Sequence, residues 1–253
     1  MKLTTQHTLR LISQYPLMIL FIFSSYFLFL SYTQFDTTLT LKNKIESTRV
    51  LNTLSIELAK ERGLSASYIS SQGSIAKESL QEQRVAVTKA ITEFHNFYQI
   101  HEVTPNIKNT ILYINKIGEM RQAVDTFTID FNKMFFDYYS QINTFLLKEL
   151  ETIGTINSNS NISNLTYSLV SVYKNIEYLG QERGFVSKIL SQYVPFSPKD
   201  LEIWISIFGV SNIFDHSTIN DQETRTQIEN LYKLPENIKL EEEITQVKAE
   251  LIT

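Results

Sequence analysis

The sequence predicts an all-α protein in which one N-terminal transmembrane helix precedes two four-helix bundles. Three observations lead to this fold class. Residues 11–35 carry no charged side chain. The 253 residues contain only 7 glycines and 5 prolines, too few for the frequent turns that a β-sandwich or β-barrel needs. After this run, apolar residues recur at steps of three and four, the spacing of one face of an α-helix.

The composition excludes several functional classes. Hydrophobic residues make up 43% of the chain and charged residues 20%, so the chain can build a core and is not a disordered segment. It has no cysteine, which excludes disulfide bonds, thiolate nucleophiles and cysteine-ligated metal sites. The net charge of -4 argues against nucleic acid as a partner.

A membrane-spanning helix is predicted in the uncharged run 11–35. A helix needs about 20 apolar residues to cross the hydrocarbon core of a bilayer, and this run is long enough. Tyr15 and Tyr32 fall where aromatic side chains meet the membrane interfaces. A cleaved signal peptide is the alternative, and it would also export the residues that follow.

The charges at the start of the chain predict its orientation. Lys2 and Arg10 are the only charged residues before and within the apolar run, and basic residues tend to stay in the cytoplasm. We therefore predict a cytoplasmic N-terminus at 1–14, a transmembrane helix at 15–35 and an extracytoplasmic helical domain at 36–253.

Caps and breakers divide the exported part into helices. A Thr-Pro pair at 104–105 and a Ser-Pro pair at 197–198 are typical of helix N-termini. The polar stretch 154–164 separates a first helix set, 36–153, from a second, 163–253, and each set has enough helices for a four-helix bundle. The predicted helices are 36–70, 74–100, 104–117, 119–153, 163–191, 198–211, 217–233 and 235–253.

Two segments of the chain repeat one motif. Residues 57–70 read ELAKERGLSASYIS and residues 178–191 read YLGQERGFVSKILS, with a contiguous Glu-Arg-Gly in both. The repeat places Arg62 and Arg183 at equivalent positions in the first helix of each set. The helical neighbours of both arginines are apolar or small, so both lie where a core residue is expected.

An arginine in an apolar stripe needs a partner, because an uncompensated buried guanidinium is very costly. It must pair with a carboxylate, reach solvent or bind an anion. Gly63 and Gly184 follow the two arginines, and residues this small would let another helix approach closely. We expect the two guanidinium groups to face one small space.

The residues alone leave two alternatives for that space. One is a structural arginine–glutamate network that fixes helix register. The other is a site for a small planar oxyanion, which suits the paired N–H donors of guanidinium, with a carboxylate balancing the excess positive charge. The candidate binding residues are Arg62 and Arg183, and the candidate supporting residues are Glu61, Glu182, Gly63, Gly184 and Ser65.

These motifs resemble a known family. ELAKERGLSASYI, MRQAVDTFTIDF at 120–131, and YLGQERGF resemble the NIT domain, the nitrate- and nitrite-sensing module of bacterial membrane receptors such as chemoreceptors and sensor kinases. The resemblance covers residues 45–235. It implies two four-helix bundles and a nitrate or nitrite site lined by Arg62 and Arg183. Together with the one transmembrane helix predicted in this chain, it implies a single-pass protein of the bacterial cytoplasmic membrane with its sensor domain in the periplasm or outside.

The resemblance implies an output beyond the sensor domain. Family members usually continue into a second membrane helix and a signalling module, and this sequence ends at Thr253 without either. We expect helix repacking on anion binding to be relayed to a signalling partner or to a missing C-terminal module, and we expect a homodimer.

Two other functions stay open from the sequence. Phe185 and Val186 make the second motif more apolar than the first, which leaves room for a sensor of the same fold with another small ligand. A membrane-tethered helical scaffold or interaction protein without a ligand is the other alternative.

No catalytic or metal chemistry is predicted. The chain has no recognisable nucleophile–base arrangement or glycine-rich phosphate loop, and its four histidines lack the spacing of a helical metal site. We therefore expect no enzyme activity, no catalytic or metal-binding residue and no cofactor. Arg121 and Asp125, four residues apart on one helix, are predicted to form a surface ion pair.

Overall fold

The computed structural model describes residues 5–155, 160–192, 196–211, 219 and 221–252. Over these residues every regular element is a helix, which confirms the predicted all-α fold behind a long apolar N-terminal helix. The chain divides into two compact units, Met1–Ser47 and Thr48–Thr253. The helices are α1 Thr5–Ser70, α2 Lys77–Tyr98, α3 Pro105–Ile114, α4 Ile117–Asp125, a π-helical segment Lys133–Ser140, α5 Gln141–Thr155, α6 Ser160–Gln192, α7 Pro198–Ser211, α8 Gln222–Tyr232 and α9 Pro235–Ile252.

The apolar stretch near the N-terminus forms the first part of α1. It is long and apolar enough to cross a membrane, and its described side chains are exposed, with Phe21 at 72%. Near the end of this stretch, the Thr33 hydroxyl donates to the main-chain carbonyl of Leu30 (2.9 Å), so this polar group is satisfied within the helix. The predicted segments 15–35 and 36–70 therefore belong to one continuous helix.

A tight turn ends α1 at Ser70, the predicted end of helix 36–70. Gly73 has a φ of 83°, in the left-handed region that glycine tolerates, and its N–H donates to the carbonyl of Tyr68 (2.9 Å). The Tyr68 ring stacks on Phe127, with 5.3 Å between centroids. The end of α1 is thereby tied to the loop that follows α4.

The predicted starts of α3 and α7 are confirmed. Thr104 Oγ1 accepts a hydrogen bond from the N–H of Ile107 (3.3 Å), and Ser197 Oγ accepts one from the N–H of Asp200 (3.1 Å). Each bond satisfies a main-chain donor that the first helical turn leaves open, and each helix begins with the predicted proline.

The predicted helix 119–153 is wrong in its middle. α4 ends at Asp125, and Phe127 has a φ of 56°, which a continuous right-handed helix excludes. Asp130 then caps the next turn, because its Oδ1 accepts a hydrogen bond from the N–H of Asn132 (2.8 Å). The apolar spacing continues across the break, and for this reason the pattern alone did not reveal it.

The π-helical segment turns several consecutive large side chains into the core. Its backbone is wound more widely than an α-helix, with bonds between residues five apart. Ser140 Oγ donates to the carbonyl of Phe135, five positions earlier (2.8 Å). α5 follows directly and packs against both α3 and α6. The buried residues of the segment are Met134, Phe135, Tyr138, Tyr139 and Ser140.

α6 approaches the π-helical segment closely at one glycine. A Cβ on Gly184 would lie 2.6 Å from two ring carbons of Phe135, so only glycine fits there without rearrangement. α6 also packs against α7, where Trp204 is 4% exposed and lies in the core.

Two predicted boundaries fall partly outside the described residues. α8 begins at Gln222, with Asp221 as its N-cap, whereas the predicted helix began at 217. Residue 217 is not among the described residues, and neither are 156–159 of the predicted polar boundary. α6 begins at Ser160, so the later part of that boundary is helical.

The two glycines of the repeated motif should respond in opposite ways to the same substitution. Gly184→Ala places a methyl group against the Phe135 ring and should lower the free energy of unfolding by about 1–3 kcal/mol. Gly63→Ala meets no atom within 4 Å among the described residues and should raise it by about 0.5–1 kcal/mol. Thermal unfolding of the full chain in detergent measures both, and shifts of equal sign would contradict this packing.

Candidate functional site

Arg62 is a buried arginine on α1 whose partners come from two other elements. Its side chain is 1% exposed. Its Nη1 donates to Ser140 Oγ (2.8 Å), in the π-helical segment, and to the carboxylate of Glu177, on α6. Glu177 is itself 6% exposed. The attraction between the two charges offsets part of the cost of removing both from water.

Glu177 is held in place by further side chains. Its Oε2 accepts a hydrogen bond from Asn143 Nδ2 (2.8 Å), and its Oε1 accepts one from Gln181 Nε2 (2.8 Å). The Asn143 amide also donates to the main-chain carbonyl of Ser55 (3.3 Å). Together with Arg62, these bonds tie α1, α5 and α6 to one carboxylate.

The guanidinium of Arg62 is enclosed by an aromatic ring and a glycine. Its Cζ lies 4.9 Å from the centroid of the Phe135 ring. A Cβ on Gly180 would be 3.3 Å from Nη2, so the missing side chain admits the guanidinium beside α6. Within the described residues, Arg62 Nε and the Oγ of Ser65, almost one turn further along α1, have no hydrogen-bond partner. These two buried polar groups can donate to an additional oxygen acceptor.

Glu61 precedes Arg62 in the chain but bonds to different helices. It is 0% exposed, and Arg121 of α4 binds both of its oxygens, with Nε at 2.8 Å and Nη2 at 2.7 Å. The Tyr139 hydroxyl donates to Oε1 (2.8 Å), and Arg84 Nε lies 3.9 Å from the same oxygen. As expected for consecutive helical residues, Glu61 is not the counter-charge of Arg62.

The predicted surface ion pair between Arg121 and Asp125 is wrong. Arg121 turns to Glu61, and Asp125 instead accepts two hydrogen bonds from Arg84 of α2, at 2.9 and 2.8 Å. Arg84 is 9% exposed. The four-residue spacing indicated a pair within α4, but spacing along one helix contains no information on the side chains of other helices. Here the partners on other helices form bidentate pairs.

Burial and the charge of Glu61 change how this network titrates. Burial above all, and then the Glu61 carboxylate, raises the pKa of Tyr139 well above its ordinary value. The same two causes raise the pKa of Tyr138. Burial by itself would lower the pKa of Arg121, but the hydrogen bonds and charge of Glu61 raise it. Both tyrosines therefore stay protonated, and Arg121 stays charged, across the physiological pH range.

The two repeated motifs differ in burial. The predicted core position is confirmed for Arg62, which is buried, and is wrong for Arg183, which is exposed on α6 because that side of α6 faces away from the core. Glu182 is 3% exposed and accepts a hydrogen bond from the indole nitrogen of Trp204 (3.3 Å). The α6 residues beside Arg62 are Glu177 and Gly180, the latter one turn before Arg183. The predicted convergence of the two guanidinium groups on one space stays a prediction.

The remaining predicted supporting residues also lie in different surroundings. Ser65 is fully buried on the same side of α1 as Arg62. Gly184 contacts the ring of Phe135, as expected for a close helix approach. Gly63 makes no such approach among the described residues, since a Cβ there would have 4 Å of open space.

Sequence reasoning missed the partners of Arg62. Glu177 lies 115 positions from it, outside both copies of the motif. One signal was available, because Glu177, Gly180 and Gly184 are three and four residues apart and share one face of a helix. A carboxylate on a glycine-lined helix face indicates a close approach by a cationic side chain. No comparable pattern pointed to Ser140.

The sequence matches the family described as "Nitrate and nitrite sensing" (NIT) over residues 53–247. The chain belongs to this family. The predicted resemblance is thereby confirmed, and the matched span contains both copies of the Glu-Arg-Gly motif. No curated protein matches the sequence.

The fold of the NIT chain is similar to a solved structure, that of the NasR transcription antiterminator. The TM-score is 0.68 at 16% sequence identity. The match covers 81% of this chain and 59% of that one, so the NIT chain spans less than two thirds of the antiterminator. At this identity the likeness shows the fold alone.

Alkaline pH should destabilise the protein through its buried tyrosines. In the unfolded chain Tyr138 and Tyr139 lose their protons near pH 10, whereas their raised pKa keeps them protonated in the folded chain. Below about pH 10 both states are protonated and the two groups contribute no pH dependence; above it, the free energy of unfolding falls as pH rises. Denaturant unfolding across this range measures the slope, which Tyr139→Phe should reduce. An unchanged slope in that variant would contradict the assignment.

Proposed function

We propose that this NIT chain is a membrane-anchored sensor for nitrate or nitrite. The anion binds Arg62 and Arg183. One observation carries the proposal: a family match for nitrate and nitrite sensing coincides with a buried arginine whose Nε has no hydrogen-bond partner within the described residues. The supporting residues of the proposed site are Glu61, Glu182, Gly63, Gly184 and Ser65.

The surroundings of Arg62 favour a small, planar, singly charged oxyanion. A carboxylate, that of Glu177, already bonds to Nη1. Nitrate and nitrite present similarly spaced acceptor oxygens to the fork of a guanidinium. Arg62 Nε and Ser65 Oγ add two donors on the same side of α1. The Phe135 ring, 4.9 Å from Cζ, limits the thickness of the ligand.

Glu177 competes with the anion for the guanidinium of Arg62. One guanidinium cannot fully neutralise both a bound anion and the Glu177 carboxylate, so anion binding weakens the tie between α1 and α6. Arg183, exposed on α6, supplies the second positive charge. The anion changes the packing of α6 on α1 only to the extent that it binds one packing more tightly than the other.

In this proposal the chain is a single-pass protein of the bacterial cytoplasmic membrane. Residues 1–14 lie in the cytoplasm, 15–35 cross the membrane, and 36–253 form the periplasmic sensor domain, with helix sets at 36–153 and 163–253. The exposed apolar side chains of the first part of α1 support the anchor. The sensor acts as a homodimer, has no enzyme activity, and relays helix repacking to a signalling partner or a C-terminal module.

A membrane-tethered scaffold without a ligand is the second candidate. It is favoured by the ion pairs of Arg62 with Glu177 and of Glu61 with Arg121, which join different helices and fix their register with no ligand. Added anions would leave the stability of such a scaffold unchanged. A sensor of the same fold for another small ligand would respond to a different ion.

Sodium nitrate and sodium nitrite should raise the unfolding temperature of the full chain in detergent. At 100 times its dissociation constant a ligand adds about 2.7 kcal/mol to the free energy of unfolding. Sodium chloride and sodium sulfate at equal ionic strength are the control salts. Arg183→Gln should lose most of the nitrate shift without changing the unfolding temperature in chloride, because Arg183 is exposed. Arg49→Gln, at another exposed arginine, should keep the full shift.

Two substitutions at the buried pair complete this test. Arg62→Lys keeps the positive charge but loses the fork, so the nitrate shift should disappear even in a folded protein. Glu177→Gln removes the competing charge and should lower the nitrate concentration needed for half of the shift. A nitrate shift that survives both Arg62→Lys and Arg183→Gln would reject the proposed site. No shift with either nitrogen oxyanion in the unsubstituted protein would favour the scaffold.

The anchor predicts that the full chain stays in the membrane pellet after washing with alkaline carbonate. The chain lacks cysteine, so the single variants Thr5→Cys and Thr37→Cys report on the two sides of the bilayer. A membrane-impermeant thiol reagent should label Thr37→Cys in bacterial cells with a permeabilised outer membrane, and Thr5→Cys only after lysis. The intact mass should include the N-terminus, whereas a shortened mass would indicate a cleaved signal peptide.

A further inference from the structure

α6 has one face in the core and an apolar face outside it. This division holds for positions 168–190. The core-facing residues include Val170, Glu177, Phe185 and Ile189, all below 9% exposed. The exposed apolar side chains on the opposite face are Leu169 at 36%, Ile176 at 53%, Leu179 at 43% and Leu190 at 47%.

The exposed face has the spacing of a coiled-coil seam. One set of its residues recurs every seven positions along α6, and a second set lies three positions after members of the first. The two sets are the a and d positions of three heptads and extend for about 32 Å along the helix. Such a seam packs knobs into holes against an identical helix. The exposed members of the seam are Leu169, Ile176, Arg183 and Leu190 at a and Leu179 at d, whereas Val172 and Val186 at d are half-buried, and Val186 also packs against the protein's own core.

The size of this α6 seam suits a second copy of the chain. Its exposed apolar area is on the order of 400 Å² per copy, comparable to the largest patches of monomers, which often serve in binding. Two paired seams would bury roughly 1,000 Å², a size typical of reversible association. Anchoring in one membrane would raise the local concentration of the chains, so a weak interface suffices.

Arg183 places one charge in the middle of the seam. The charged α6 residues Lys174 and Lys188 pair with Glu151 and Asp200 away from it. In a parallel pair in register, an a position faces the same position of the other copy, so the two Arg183 side chains meet. Two like charges about 8 Å apart near a protein surface weaken association by about tenfold. A bound anion cancels this repulsion.

We propose that the α6 seam is the surface through which two copies of the chain associate, and that an anion bound to Arg183 strengthens the association. The second clause rests on the proposed function, because this anion is the one that is sensed. Ligand binding then changes how tightly two sensor domains pair, and a signalling partner can read that change.

Site-specific cross-linking in membranes tests the seam, because the full chain contains no other thiol. Leu179→Cys, at a d position, should form an intermolecular disulfide under copper-catalysed air oxidation. Leu112→Cys, 53% exposed on α3, is the matched control and should stay monomeric. Replacing sodium chloride by sodium nitrate should raise the initial cross-linking rate of Leu179→Cys by about tenfold.

Two substitutions added to Leu179→Cys separate charge from packing. Arg183→Leu makes the seam fully apolar, so cross-linking should be strong in chloride and in nitrate alike. Ile176→Lys adds a second charge to the seam and should lower cross-linking by about tenfold in both salts. Leu112→Lys makes a similar apolar-to-lysine change away from the seam and should have no effect.

The outcomes distinguish the seam from the sensor. Equal cross-linking of Leu179→Cys and Leu112→Cys in both salts would overturn the interface. If nitrate raises the unfolding temperature but not the Leu179→Cys cross-linking, the link between anion and pairing is wrong and the sensor stands. If nitrate changes neither, while Arg183→Leu still cross-links strongly, the sensor proposal fails and the interface stands.

Discussion

The buried charge of Arg62 is the constraint on which the rest of the structure depends. A guanidinium at 1% exposure is stable only if protein groups replace the water around it. Glu177 supplies the counter-charge, Ser140 an acceptor and Phe135 a ring face. These groups come from α6 and the π-helical segment, so one side chain of α1 determines where two other elements lie. The glycine at 180 follows from the same constraint, since a larger residue would meet the guanidinium.

Glu61 and Arg62 are consecutive on α1 but bind different elements. Glu61 binds Arg121 of α4 and Tyr139 of the π-helical segment, while Arg62 binds Glu177 of α6. Neighbouring residues on a helix point about 100° apart, so the two sets of bonds do not compete. An anion at Arg62 would therefore act on the connection to α6 and leave the Glu61 network as a fixed support. Both networks contain buried charged side chains at the helix contacts, where exchanging one partner has the largest effect.

Sequence reasoning predicted correctly those features that depend on a few residues close together in the chain. The helix starts at Thr104 and Ser197 depend on a cap and a proline, and the structure has both. The burial of Arg62 followed from its neighbours on the same helix. The pairing of Arg62 with Glu177 could not be predicted in this way, because helical spacing shows which face of a helix is buried and not which other helix covers it. Arg183 carries the same motif yet is exposed, since packing between helices, and not the motif, decides burial.

The π-helical segment makes the number of residues ahead of α5 as important as their identity. Such a turn contains about one residue more than an α-helical turn. Losing that residue would rotate one side of the segment against the other by about 100°, and this would separate Ser140 from Arg62 or Tyr139 from Glu61. A comparison of related chains that treats Lys133–Ser140 as ordinary helix would set the wrong residues against each other. In an alignment of relatives, a single-residue gap in this stretch should therefore distinguish chains without this arrangement from chains that have it.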